Sequence, residues 1–200
     1  MKFIPTLLCS SVLFCGFAIA NEASIKTAYE EFDKAMLAKN YAEAFGKISD
    51  SSQEMIKKAR TLALSADRAT LTKEPVAVIL NVFQIRKNAG NKLPKDGAET
   101  IGIMSSNYER SSKMVGVGEI TIEGDKASAI MLMSGKPSEM KFAFIKEDGD
   151  WKLDMASQLK MVEEMMLEPM KESGQTREAT LDRMGKAATT KEYDPWQPLK

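Results

Sequence analysis

Residues 140–155, MKFAFIKEDGDWKLDM, alternate apolar and polar side chains on both sides of Asp148-Gly149. Alternation at period two marks a half-buried strand, and Asp-Gly between two such runs favours a two-residue turn with positive φ at both central positions. Closing the turn there pairs Glu147 with Asp150, Lys146 with Trp151, Phe144 with Leu153 and Phe142 with Met155. One face then carries Phe142, Phe144, Trp151, Leu153 and Met155; the other carries Lys141, Ala143, Ile145, Lys152 and Asp154. A three-residue loop with a bulge at Gly149 would slip the register and set Lys152 and Asp154 among the phenylalanines, so the two-residue turn is preferred. Burying Phe142, Phe144, Trp151 and Leu153 stabilises the fold by roughly 6–12 kcal/mol. A lone hairpin cannot hide such a face, so other elements must cover it.

A second hairpin precedes the first. Residues 114–122 and 126–134 flank Gly124-Asp125, which pairs Ile122 with Ala127, Ile120 with Ala129, Gly118 with Met131 and Gly116 with Met133. Large residues face small ones in that register. Gly135-Lys136-Pro137 then turns the chain into the opening hairpin, giving a four-stranded antiparallel meander.

Upstream the period is helical. Residues 23–39 place Ile25, Tyr29, Phe32 and Met36 on one face, and Asn40 caps a short helix with Tyr41, Ala44 and Phe45. Asp50-Ser51-Ser52 caps a helix over 53–64, and a short helical turn begins at 65–68. Residues 76–86, after Pro75, are apolar nearly all round; they read as a buried helix, with a strand as the alternative. Asp96 caps a helix from Gly97 to about Ser105. After the strands come a helix over 157–171, capped by Asp154 or Ser157, a shorter one over 175–186, and an extended or disordered end over 189–200. Within that end, Tyr193-Asp194-Pro195-Trp196 reads as a short linear anchor or as one aromatic tucked onto the domain. Helices followed by strands make this an α+β chain: N-terminal helices on a curved four-stranded antiparallel meander, with a C-terminal helical extension. The expected divisions are a leader over 1–20, an α+β domain over 21–156, and a Met-rich helix and tail over 157–200.

The leader rests on Lys2, an apolar core over 7–17 and the small-x-small triplet Ala18-Ile19-Ala20, with cleavage after Ala20. An uncleaved anchor is the alternative, since 3–20 is nearly free of strongly polar groups. Lipid attachment at Cys9 or Cys15 is disfavoured, because Leu8 and Phe14 stand where a small residue is needed. Both cysteines lie in this segment and the chain has no histidine. The processed chain therefore has no disulfide, lacks the cysteine and histidine ligands usual for zinc, and lacks the base of Ser-His or Cys-His catalysis. Basic and acidic residues balance at 28 each, which disfavours nucleic acid as a partner. An exported chain without an Asn-x-Ser/Thr sequon fits the bacterial periplasm.

Residues 64–68 (LSADR), 96–99 (DGAE), 118–129 (GEITIEGDKASA) and 142–154 follow one another in an order that resembles the NTF2-like (cystatin-like α+β cone) superfamily, and within it exported bacterial members. The resemblance spans about residues 24–155. The superfamily's strand between the early helices is not evident, and the C-terminal segment exceeds the plain pattern. Superfamily members include non-catalytic binding and scaffold proteins as well as isomerases and dehydratases, so fold alone does not choose. The resemblance implies, for an enzyme, an acid–base group inside the cone, with its pKa lifted by apolar walls, beside a tyrosine or protonated acid.

Candidate acids are Glu30, Glu99, Glu119 and Asp154; candidate donors are Tyr29, Tyr41 and Tyr108. Each also has a plain structural reading. Glu30 lies beside Glu31 on a solvated face, and Glu99 sits in a first helical turn, where the dipole favours an acid. Glu119 and Asp154 alternate with inward-facing neighbours, and Tyr29 and Tyr41 suit a core edge.

Thirteen of the fourteen methionines follow the leader. Met131 and Met133 form an M-x-M pair; Met155, Met161, Met165, Met166 and Met170 line the C-terminal helix. Thioethers can hold Cu(I), yet methionine is also a flexible core filler. Leu159, Val162, Met166 and Met170 form an ordinary amphipathic stripe, and Glu163, Glu164 and Glu168 disfavour an anionic membrane. The expectation is a non-catalytic binding domain without a cofactor. It would take an apolar small molecule or a protein partner, a second copy included, in the cone or on the sheet face. An isomerase or dehydratase and a Met-based Cu(I) binder are the alternatives.

Overall fold

Asp148 and Gly149 both adopt left-handed backbone, with φ of 53° and 93°, so the last hairpin closes through the two-residue turn. In the computed structural model β3 (Lys136–Glu147) and β4 (Asp150–Leu153) pair Phe144 with Leu153, Ile145 with Lys152, Lys146 with Trp151 and Glu147 with Asp150. Phe142, Phe144, Trp151 and Leu153 are buried. Pairing stops at Leu153, and Met155 does not lie opposite Phe142. Asp154 ends the strand and Met155 opens a helix, α8 (Met155–Glu172), two residues earlier than the sequence suggests.

The structure describes residues 12–90, 92–106, 108–172, 174–189 and 194–199, with side chains from residue 21 on apart from 162, 166 and 169–171. Among them are nine helices and one antiparallel sheet in the order β1-β2-β3-β4. The fold is α+β, with helices before the sheet and at the C-terminal end.

β1 (Val115–Glu123) and β2 (Lys126–Met133) keep the expected register only near their turn, where Ile122 meets Ala127 and Ile120 meets Ala129. Beyond it a bulge sets Gly118 and Glu119 against one residue, so that Val117 meets Met131 and Val115 meets Met133. The expected pairs Gly118–Met131 and Gly116–Met133 do not form. Gly118 has no room for a side chain: a Cβ would come within 3.0 Å of the Ile130 carbonyl and of Leu132. The slip turns Val115 and Val117, rather than two glycines, toward the packed face beside Met131. The β2–β3 turn also differs. Ser134 and Gly135 form it, with φ of 51° and 77°, and Lys136 and Pro137 already belong to β3.

α1 (Val12–Leu37) covers this face with Ile25, Ala28, Phe32 and Met36, and α2 (Tyr41–Gly46) adds Ala44. α1 extends N-terminally past the expected helix start at 23, through the expected cleavage point; residues 1–11 of the leader lie outside the described residues. Among the described residues no helix is long and apolar enough to cross a membrane. Asn40 caps α2 as expected, accepting from the Glu43 N–H. Next to it, Ile48 makes a one-residue parallel bridge to Leu153, with the Ser49 N–H donating to the Leu153 carbonyl at 3.0 Å.

α3 (Asp50–Ser65) starts three residues before the expected 53, because Ser49 rather than Asp50 takes the N-cap. The short α4 (Arg68–Leu71) is capped by Asp67. α5 (Val76–Ala89) is the buried helix, with Val76, Ile79, Val82 and Ile85 fully covered. α6 (Gly97–Met104) is capped by Asp96 as the sequence indicates, and α7 (Tyr108–Ser112) was not visible in the periodicity. α9 (Arg177–Ala188), capped by Thr176, lends Leu181 to a second core around α5.

Trp196 completes that second core, its ring edge-on to Phe83 at 4.9 Å and under the Arg68 guanidinium at 4.8 Å. The end of the chain is thus docked rather than free, although Tyr193 lies outside the described residues. At Gly185 a Cβ would stand 2.2 Å from the Trp196 indole nitrogen, so only glycine fits. Arg86 of α5, 2 % exposed, locks the arrangement. Its guanidinium donates to the carbonyls of Leu62 (2.9 Å), Ala63 (3.0 Å), Ala66 (2.6 Å) and Pro195 (2.8 Å). Leu62 and Ala63 lie in the last turn of α3 and Ala66 is its C-cap, where the dipole favours a cation.

Arg86→Met should destabilise the fold by about 3 kcal/mol, since it removes buried charge-assisted hydrogen bonds to four carbonyls, and lower Tm by roughly 6–12 °C. Arg86→Lys should recover little, because an ammonium cannot reproduce the fork. Thermal unfolding followed by tryptophan emission, which also reports the loosening of Trp196, checks both.

Candidate functional site

Of the four candidate acids, only Asp154 is buried. It ends β4 and caps α8: the Ser157 N–H donates to its Oδ1 at 3.2 Å and the Ser157 hydroxyl to its Oδ2 at 2.5 Å. The Ser49, Ser51 and Ser52 hydroxyls lie 3.1, 3.3 and 3.4 Å from Oδ1, all from the start of α3. Ser49 caps α3 through the Ser52 N–H (3.2 Å), and Ser52 Oγ accepts from the Ala156 N–H (3.1 Å). One carboxylate therefore faces two helix N-termini. Burial raises its pKa, but the Ser157 hydroxyl and N–H and the Ser49 and Ser51 hydroxyls outweigh this and hold it below the ordinary value. An acid held ionised and saturated with donors does not serve as a proton donor near neutrality. The alternation argument set Asp154 on the strand's far face; it is instead the first residue of a helical cap.

The tyrosines meet a different acid. Tyr108 donates to Asp33 Oδ1 at 2.8 Å, with its ring edge-on to Phe32 at 6.1 Å, and Tyr29 packs on Phe142 at 4.8 Å. Burial and then the Asp33 charge push Tyr29 up to about 12. Tyr108 is raised further, by burial first and then by its hydrogen bond to Asp33. Both phenols stay protonated, and the Tyr108 hydroxyl is already spent on the chain's own carboxylate. Asp33, four residues after Tyr29 on α1, was not among the sequence candidates; that i, i+4 spacing was its one legible signal. Tyr41 packs against the first core without joining this group.

Glu30 is exposed on α1, and Glu119 is exposed at the β1 bulge. Glu99 closes a capping box, its carboxylate accepting from the Lys95 N–H at 2.8 Å while its own N–H donates to Asp96. The methionines disperse. Met131 is buried opposite Val117, Met133 is exposed opposite Val115, Met155 packs at the first core, and Met161 and Met165 are exposed on α8. Met166 and Met170 lie outside the described side chains. Among the described residues no group of three or more acidic side chains is placed to hold a metal ion.

A cleft of about 650 Å³ opens between the middle of α1, the end of α2 and the β3–β4 turn. Asn21, Thr27 and Glu31 form one wall, and Lys146, Asp150 and Trp151 form another. Lys47 bridges the walls' edge by pairing with Glu31 at 2.6 Å. Lys152 pairs with Glu147 (3.2 Å) and Asp50 (3.6 Å), and those partners raise its pKa against the opposing effect of burial. Lys146, cross-strand partner of Trp151, makes no ion pair among the described residues. The Trp151 indole N–H is buried and meets no acceptor, a donor left unsatisfied at a cost of about 1–3 kcal/mol. No sequence motif joined the two walls. Only folding places the turn against a helix more than a hundred residues away.

Comparison with family models, with curated proteins and with solved structures gives no match to this chain.

Because the Asp154 pKa is depressed in the folded state, its contribution to stability is complete above the unfolded carboxylate value near 3.9 and is lost as pH falls through the folded value. Asp154→Ala should therefore cost about 2 kcal/mol at pH 7. The gap from wild type should close as pH drops below about 4. Urea unfolding at pH 7, 5 and 3 measures this; a gap constant with pH would remove the charge from the account.

Proposed function

We propose that this chain is an exported, non-catalytic binding domain of the NTF2-like type, which takes its ligand in the cleft between α1 and the β3–β4 turn. The observation that carries this reading is the filling of the sheet's packed face. Phe32, Met36, Met131, Phe142 and Phe144 occupy the space where a superfamily enzyme would hold its substrate. An isomerase or dehydratase needs a carboxylate free to exchange a proton and a donor free to meet developing charge. Asp154 is saturated with donors and Tyr108 is bound to Asp33. The cleft instead offers about 650 Å³, within the range of small-molecule sites, with Lys146 in its wall and no ion pair for it among the described residues.

Helices followed by a bulged, four-stranded meander support the NTF2-like reading. The Lys2, apolar core and Ala18-Ile19-Ala20 pattern supports export to the periplasm with cleavage after Ala20. Nothing then remains to hold the chain in a membrane, and the acidic side of α8 with Glu163, Glu164 and Glu168 suits solvent.

Native mass spectrometry of the protein purified from its own periplasm tests the reading in one measurement. The expected species begins at Asn21 and carries a small molecule that dissociates on denaturation. A species that retains residues 1–20, or a bare chain that turns over a carbonyl or hydroxy-acid substrate, would overturn it.

A further inference from the structure

The hydrogen bonds around β4 show which way each of its residues turns its main chain. In an antiparallel pair, residues bonded to the partner strand alternate with residues whose N–H and C=O point away from it. Leu153 points away: its N–H donates to the Lys47 carbonyl at 3.2 Å, and its carbonyl accepts from the Ser49 N–H at 3.0 Å. Trp151 lies two residues earlier on β4 and turns the same way. Its cross-strand partner Lys146 agrees, since the Lys146 N–H leaves the pair and donates to the Asp125 carbonyl at 2.8 Å, at the start of β2. β4 is the last strand of the sheet, so the main-chain N–H and C=O of Trp151 stand on a free edge. These are main-chain atoms, distinct from the indole nitrogen sealed inside the fold.

Residues 47–49 cover this edge only as far as Leu153, through the one-residue parallel bridge at Ile48. One step further along, the Lys47 N–H would face the Trp151 carbonyl. It turns back instead to the Ala44 carbonyl at 3.1 Å, where α2 ends. Among the described residues nothing else meets either main-chain group of Trp151. The cleft opens at that point, with Gly46, Lys47, Gly149 and Trp151 in its lining. An edge strand that keeps a donor and an acceptor is a template for another extended chain. Gly46 clears the approach. It lies outside left-handed backbone and a Cβ there would meet nothing within 4 Å, so neither conformation nor packing calls for glycine. Glycine does let a ligand's main chain come close. The charges of the lining balance, Lys47, Lys146 and Lys152 against Glu31, Glu43 and Asp150, which favours neither an anion nor a cation.

We propose that the β4 edge inside this cleft binds a short, uncharged peptide in extended conformation. The peptide's main chain takes the place that residues 47–49 leave open, accepting from the Trp151 main-chain N–H and donating to the Trp151 carbonyl, as one more strand beside β4. The walls of α1 and the β3–β4 turn enclose about 650 Å³, a small-molecule volume, so the peptide is taken whole rather than as part of a folded partner. The inference rests on the cleft being the binding site, as proposed above, and adds the class of ligand and the atoms that read it.

The test uses isotopically labelled protein, isolated from its own periplasm and dialysed, and two capped probes of similar size. One is N-acetyl-trialanine methylamide. The other is N-acetyl-trisarcosine dimethylamide, in which every main-chain N–H is replaced by an N-methyl group. The readout is the main-chain amide resonance of Trp151, with that of Leu153, already bonded within the chain, as reference. Trialanine should give a saturable shift at Trp151 and slow its hydrogen exchange, and trisarcosine should bind about tenfold more weakly. Gly46→Leu puts a side chain into the open space and suits a helix better than glycine does. It should melt no lower than wild type and bind trialanine about tenfold more weakly. Trisarcosine bound as tightly as trialanine, or trialanine bound undiminished by Gly46→Leu, would overturn the strand pairing. A co-purified compound that moves the Trp151 amide but contains no peptide bond would overturn the peptide and keep the cleft as the site. No shift at Trp151 with either probe or with any co-purified compound would overturn the inference and the cleft together.

Discussion

A carboxylate shared between two helix N-termini ties this molecule together. Asp154 ends β4, caps α8 and accepts from the serines that open α3, so one residue fixes the sheet against both of its flanking helices. Each N-terminus leaves N–H groups without helical partners and a partial positive charge, and an ionised acid between two of them answers both. Glu147, at the other end of the same hairpin, adds to this by accepting from the Asp50 N–H at 3.1 Å. The hairpin therefore contributes an apolar face to the first core and two acids to the start of α3.

α3 is complemented at its far end as well. Arg86 donates to the carbonyls of Leu62, Ala63 and Ala66, where the dipole is negative. The helix thus spans from the first core, closed by an anion, to the second, closed by a cation. Its sixteen residues, about 24 Å long, carry Ile56 into one and Ala59 and Ala63 into the other. Burying a guanidinium is costly unless its donors are met, and the end of α3 together with Pro195 meets four of them. The docking of the C-terminal end follows from this, since Pro195 and Trp196 complete a cage that α5 alone leaves open.

Much of this was legible in the sequence, and the parts that were not share a cause. Asp148-Gly149 set its own turn, and Phe142, Phe144, Trp151 and Leu153 announced their face, because both signals are local. Asn40 and Asp96 announced their helices for the same reason. The slip at Gly118 was not legible, since it depends on how closely Ile130 and Leu132 approach across the sheet. Asp154 was read as a strand residue because alternation continues through it, and only the serines of α3, a hundred residues earlier, reveal it as a cap. Arg86 looked like the basic last turn of a helix. Its role appears only when α3 and the chain end are brought to it. The cleft is the extreme case: Lys146 and Trp151 belong to the hairpin, but nothing in the sequence set Asn21 opposite them.

The same two cores bear on where a ligand can go. A curved sheet that keeps an open interior must leave part of its concave face to solvent or ligand. Here Phe32 and Met36 press onto Phe142, Phe144 and Met131, so opening a cavity there would forfeit packing as well as apolar burial. The open space lies instead at the rim, where the sheet's last turn meets the middle of α1. At that rim Lys146 has no ion pair among the described residues, while the buried donors without a partner, Trp151 Nε1, Asn81 Nδ2 and Thr180 Oγ1, lie inside the fold. Elsewhere Asp154, Asp33 and Arg86 are each met by partners from distant segments.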